Sequence, residues 1–186
     1  MKKSVLRFIS VFMVCVLSAP MVLAGPSKQY DLLKAIEDQE IQEVLKLLKE
    51  GVNPNTRSYT EGIPALVIAA RTGNSEIMKA LLEAGAKPNI ATRDRRETAL
   101  MIRSMGRKST IVQMLLDHKA DPNITDKANE TALIKAVRAR KYQNIQLLLN
   151  AGADVEIQDL TGRTALDYAR QNRSRRIIAL LENAGS

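Results

Sequence analysis

Apolar side chains fall into two blocks that alternate along most of the chain. An Ala-Leu pair opens the first block at Leu66, Leu100, Leu133 and Leu166, at spacings of 34, 33 and 33 residues. The second block keeps step with it. Val44/Leu47/Leu48, Met78/Leu81/Leu82, Val112/Leu115/Leu116, Ile145/Leu148/Leu149 and Ile177/Leu180/Leu181 each set apolar residues at i, i+3 and i+4, one face of a helix. Sixteen residues before Leu48 stands Leu32, with Ala35 three further on, so a first unit without its leading turn runs over residues 30–55.

Each second stripe ends in a stop signal. Gly51, Gly85 and Gly152 suit the left-handed backbone that closes a helix, and Pro54, Pro88 and Pro122 prevent its continuation. Thr98, Thr131 and Thr164 precede the first helices, where a hydroxyl can satisfy the free amides of the opening turn. Each unit therefore reads as turn, short helix, turn, second helix, loop. Helices of about ten residues are marginal alone in water, and each carries a stripe too apolar to leave wet. The units must stack, and the predicted fold is an all-α solenoid of helix-turn-helix units. It occupies residues 25–186, with units at about 28–58, 59–92, 93–125, 126–158 and 159–186.

Residues 1–24 follow another pattern. Lys2, Lys3 and Arg7 lead into an apolar run from Phe8 to Leu17, Pro20 breaks it, and Val22-Leu23-Ala24 precedes Gly25, which predicts a signal peptide cleaved after Ala24. An uncleaved anchor needs roughly 18 apolar residues or more, and Ser18, Ala19 and Pro20 cut this run short. Cys15 sits in mid-run behind Met13 and Val14, without the small neighbours a lipidated cysteine takes. Cleavage leaves a chain with no cysteine, which excludes disulfides, thiolate catalysis and zinc–sulfur sites. The leader resembles bacterial secretion signals, and the expected destination is the periplasm of a Gram-negative cell, with membrane contact only in transit.

Charge sharpens this picture. The formal charge of +8 includes the three leader cations. Beyond them the balance shifts along the chain: residues 25–86 hold seven basic and nine acidic side chains, residues 87–186 eighteen and eleven. Such a gradient steers an acidic partner to the last three units, mainly by raising the association rate. Aromatic residues are only 3% and there is no Trp, so stacking platforms for bases are scarce and nucleic acid is not expected as a partner.

Glu-Thr-Ala-Leu (97–100 and 130–133), Gly-Arg-Thr-Ala-Leu (162–166) and Leu-Leu-Asn-Ala-Gly-Ala-Asp (148–154) resemble the ankyrin repeat, from about residue 28 to residue 184 in five in-phase copies. The resemblance implies a curved stack of helical hairpins with β-turn fingers at right angles and a concave face that binds another protein. It points to Tyr59, Ile63, Arg93, Arg95, Arg96, Lys127 and Arg163 on the fingers, and to Arg71, Met105 and Arg138 on the helices. Arg, Tyr and Met are enriched at interface hot spots.

Departures from the family pattern cluster. The glycine between paired helices, Gly73, is replaced by Arg107, Arg140 and Arg173; a small residue expected in the first helix is Arg103; and Lys119 stands where a closing glycine is usual. Arg103 must snorkel outward or find a carboxylate. Arg107, Lys108, Arg140, Lys141 and Arg173 recur with the repeat, so stacking aligns them as a basic edge, with Arg175 and Arg176 beside Arg173. Two readings stand: cations favouring helix C-termini and solubility, or an electrostatic docking strip.

Catalysis has little to work with. His118, the one histidine, closes a second helix, no Gly-rich phosphate loop is present, and the scattered aspartates recur only because the repeat does. No enzymatic activity and no cofactor are expected. The expected function is binding another protein as a monomer, as a stoichiometric inhibitor or self-protection factor for an exported enzyme with an acidic surface. The alternatives are an adaptor in envelope stress defence and a binder of anionic envelope polymer.

Overall fold

The computed structural model describes residues 27–185; the export segment expected at residues 1–24 lies outside them. Ten helices among the described residues form five successive pairs: α1 (Lys28–Glu37) with α2 (Ile41–Lys49), α3 (Ala65–Thr72) with α4 (Ser75–Glu83), α5 (Ala99–Ser104) with α6 (Ser109–Asp117), α7 (Ala132–Arg138) with α8 (Tyr142–Asn150), and α9 (Ala165–Gln171) with α10 (Arg175–Ala184). The odd-numbered helices stack on one another in order, and each even-numbered helix backs its own partner. One apolar seam runs through the two layers from Leu32 to Leu181. No helix among the described residues is long and apolar enough to cross a membrane.

Local signals set the helix ends. Thr98, Thr131 and Thr164 each accept a hydrogen bond at 3.3 Å from the third amide of the following helix, and Asp167 completes a reciprocal capping box with Thr164. Asparagines in the closing loops tie each unit to the next. Asn55 donates to Gly85 O at 3.2 Å and accepts from Lys87 N at 2.7 Å, and Asn123 repeats this pattern with Gly152 O and Asp154 N.

Lys119 adopts the left-handed backbone of its glycine counterparts, with φ 66° against 83° at Gly51 and 81° at Gly152. A Cβ in that conformation meets the following carbonyl, at a cost of about 1 kcal/mol. Lys119→Gly is therefore expected to raise the thermal midpoint by about 2–4 °C; an unchanged or lower midpoint in a melting scan would show that this turn is unstrained.

The third unit departs from the others at the turn between its helices. Arg140 and Arg173 take the left-handed backbone of Gly73, at φ 54° and 53° against 72°. Arg107, at the same repeat position, does not. Gly106 N instead bonds to Arg103 O at 2.9 Å, a tight turn that stops α5 after six residues. Nor does Arg103 snorkel freely or find a carboxylate. Its Nη1 donates to Ala70 O at 3.2 Å, its Nε is buried with no partner, and burial lowers its pKa. The guanidinium fits because Gly73 and Gly106 lack side chains: a Cβ there would stand 2.9 and 2.7 Å from it.

Candidate protein-binding face

Turn fingers precede α3, α5, α7 and α9, and two chemistries close them. In the first two, a hydroxyl accepts from the amide at the far side: Ser58 from Ile63 at 3.0 Å, Thr92 from Glu97 at 3.1 Å. In the last two, one residue shorter, an aspartate accepts two amides. Asp126 takes those of Ala128 and Glu130 at 2.8 and 2.9 Å, Asp159 those of Thr161 and Arg163 at 2.8 and 3.1 Å. Adjacent fingers are bonded into one ledge through Arg57 Nη1 to Ala91 O, Lys127 N to Arg95 O and Leu160 N to Ala128 O, at 3.1, 2.9 and 3.0 Å.

The two aspartates organise what lies beneath. Lys135, only 8% exposed, reaches Asp126 at 2.7 Å, Glu130 at 3.1 Å and Glu97 at 3.8 Å. Arg138 pairs with the other oxygen of Glu130. One unit later, Tyr168 occupies the register of Lys135 and donates its hydroxyl to Asp159; Ile68 and Ile102 fill the same register in the hydroxyl-closed units. Desolvation disfavours the Asp126 carboxylate, but bonds from Lys135 and the Glu130 and Ala128 amides outweigh it and hold its pKa below the usual range. Asp159 likewise resists burial through Thr161, Tyr168 and two backbone amides, and its pKa lies far below the usual carboxylate value. Lys135 is the mirror case: burial pulls its pKa down, and Asp126 and Glu130 raise it further than that.

The surface above this buried cluster is cationic and aromatic. The Arg138 and Arg163 guanidiniums stand 5.3 and 5.8 Å from the centroid of the Tyr168 ring, lining a groove of about 530 Å³ with Gln171 and Asn172. A neighbouring depression is bordered by Arg95, Met105, Lys135 and Arg138. Arg71, Arg93, Arg95, Arg96, Lys127, Arg138 and Arg163 are exposed, as are Tyr59 at 71% and Met105 at 40%. Tyr59 shares a hydrogen bond with Ser27 Oγ at 2.9 Å. Ile63, expected on this face, is corrected: it is 7% exposed, because its amide and carbonyl both close the finger on Ser58 and turn the side chain into the core.

Residue-type reading missed Lys135 and Tyr168, the two side chains that anchor the aspartate fingers. The available signal was register: each lies nine residues after its aspartate, at a position that is isoleucine in the preceding units.

The basic edge lies at the other end of the first helices. Arg107, Lys108, Arg140 and Arg173 are exposed and Lys141 is half-buried. Lys108 donates to Gly73 O at 3.3 Å and Arg140 to Asn172 O at 3.1 Å, so two of these cations rest on helix C-terminal carbonyls of a neighbouring unit. His118 caps the end of α6 with Nδ1 at 2.9 Å from Met114 O.

A family model for ankyrin repeats in three copies matches residues 32–126 and again 104–186. No curated protein matches the chain. With nearly the entire helical stack spanned by that match, the chain belongs to the ankyrin-repeat family, whose members are in general modules that bind other proteins rather than enzymes.

Proposed function

We propose that the finger ledge and the grooves beneath it bind the acidic rim of an exported enzyme's active site and inhibit that enzyme stoichiometrically. The observation that carries this reading is the Arg138–Tyr168–Arg163 cluster. Two forked donors and an aromatic ring share one concave groove, and these residue types supply broad contact with bidentate recognition of carboxylates. The exposed Arg93, Arg95 and Arg96 on a neighbouring finger extend the positive field and favour fast capture of an acidic surface. Action in the periplasm is supported by the basic-then-apolar pattern of residues 1–24 and by the lack of cysteine after it.

Affinity capture from periplasmic extract, followed by titration of the captured protein's activity, tests this. The expected result is an enzyme whose activity falls to zero near one equivalent, with Arg163→Ala and Tyr168→Ala each weakening inhibition about 10-fold or more. Capture of a non-enzymatic scaffold, or of an enzyme that stays active when saturated, would overturn inhibition in favour of an adaptor.

A further inference from the structure

At the basic edge, a groove of about 450 Å³ is lined by Arg107, Arg140, Lys141, Tyr142, Asn144 and Arg176, among others. The four cations come from three successive units, and no carboxylate lines the groove. The ion pairs among the described residues use Lys28, Lys46, Lys79, Lys135, Arg138 and Arg170; none of the four groove cations is in one. The Arg140 guanidinium donates to the neutral Asn172 carbonyl. Arg176 lies 3.6 Å from the centre of the Tyr142 ring, which holds its guanidinium in place.

The groove is also fixed in shape. Asn144 is 2% exposed and donates to Ser104 O at 2.8 Å and Gly106 O at 3.0 Å, tying the Gly106 turn of the third unit to α8.

Helix-dipole stabilisation does not account for this set. It rewards cations at C-termini, yet Lys141 is the N-cap of α8 and Arg176 lies in the first turn of α10, where positive charge opposes the dipole. Arg140 adds left-handed backbone strain. Four uncompensated positive charges converging on one small groove repel each other, and a multivalent anion removes that conflict at once.

The geometry points to a binding site for a small molecule bearing two or more phosphate groups. Arginine forks match phosphate oxygens bidentately, and each phosphate carries up to two charges where a carboxylate carries one. Arg176 covers one face of the one aromatic ring, Tyr142, which also packs against the core, and this leaves little ring surface for stacking a base. The site shares no lining residue with the Arg138–Tyr168–Arg163 groove, its nearest approach to it being the bond from Arg140 to Asn172 O.

Calorimetric titration of the purified chain with inorganic tripolyphosphate, at constant ionic strength, tests the assignment. Saturable one-to-one binding is expected, weakened at least about 10-fold by Arg107→Gln and by Arg140→Gly and unchanged by Arg163→Ala on the concave face. Arg140→Gly is informative because glycine suits the φ of 54°, so a preserved melting midpoint separates lost binding from lost folding. Heat that is absent, unsaturable or insensitive to the groove variants overturns the site. Equal or tighter binding of an oligoglutamate peptide overturns the phosphate assignment in favour of an acidic segment.

Discussion

Lys135→Met is expected to destabilise the chain by about 3–5 kcal/mol, because removing one partner of a buried ion cluster leaves the others charged and desolvated. Asp126 and Glu130 are 7% and 8% exposed, and without Lys135 the Asp126 Oδ2 loses its 2.7 Å partner. Arg138 still faces Glu130, but it does not reach Asp126. The double variant Lys135→Ile with Asp126→Thr recreates the pair that stands in the third unit, Ile102 with Thr92, and is expected to recover part of the loss. A double-mutant cycle in denaturant should give a coupling of roughly 1–3 kcal/mol. Additive effects, or a single-variant loss below about 1 kcal/mol, would show that Lys135 only fills space.

The pH dependence provides a second readout of the same variant. Asp126 and Asp159 have folded pKa values below their ordinary ones. Their contribution is complete above the unfolded value of about 3.9 and is lost as pH falls through the lower folded values. Lys135 has its pKa raised above 10.5, so its contribution is complete below that value and is lost as pH rises through the higher one. Lys135→Met strands the carboxylates in their charged form at neutral pH. Protonating them relieves the conflict, so the gap between variant and parent should narrow as pH is lowered toward about 4. A gap that stays constant from pH 7 to that value would contradict the electrostatic origin.

The helices and their ends were legible in the sequence because their causes are local: a 3.6-residue stripe, a hydroxyl before it, a glycine or its strained substitute after it. Lys119 belongs to this class, since its loop position alone required a left-handed backbone. The candidate face was legible as positions but not as directions. Ile63 looked presentable because it sits on a finger, yet closing the finger turns it inward. Lys135 was not among the residues singled out, and only the finger's aspartate, brought over it by the fold, makes it a buried counter-ion. Arg107 shared a repeat position with Arg140, but the shortened α5 shifted the turn beneath it. In each case what decides is a contact between segments, which periodicity does not encode.

Leu115→Ala is expected to cost about 2–5 kcal/mol, since Leu115 is fully buried and the surrounding helices collapse only partly into the space left. Its larger consequence concerns cooperativity. A solenoid is stable as a sum of unit and neighbour terms, and the third unit is already the weakest link on three counts. It has the shortest first helix, an unpartnered buried Arg103 Nε and a strained Lys119. Its α6 also packs less closely on α4 than α2 does on that same helix. Weakening this unit further separates the two ends of the stack, so unfolding in denaturant should pass from one transition to two. Leu47→Ala makes the same chemical change in α2, where Leu47 is 4% exposed, but frays only the end of the stack and should keep a single transition. Limited proteolysis of the Leu115→Ala intermediate should cut within residues 93–125 while sparing the fourth and fifth units, which hold Arg138, Tyr168 and Arg163. One cooperative transition in both variants would mean that the five units fold as an indivisible whole, and that the strain gathered in the third is absorbed by its neighbours.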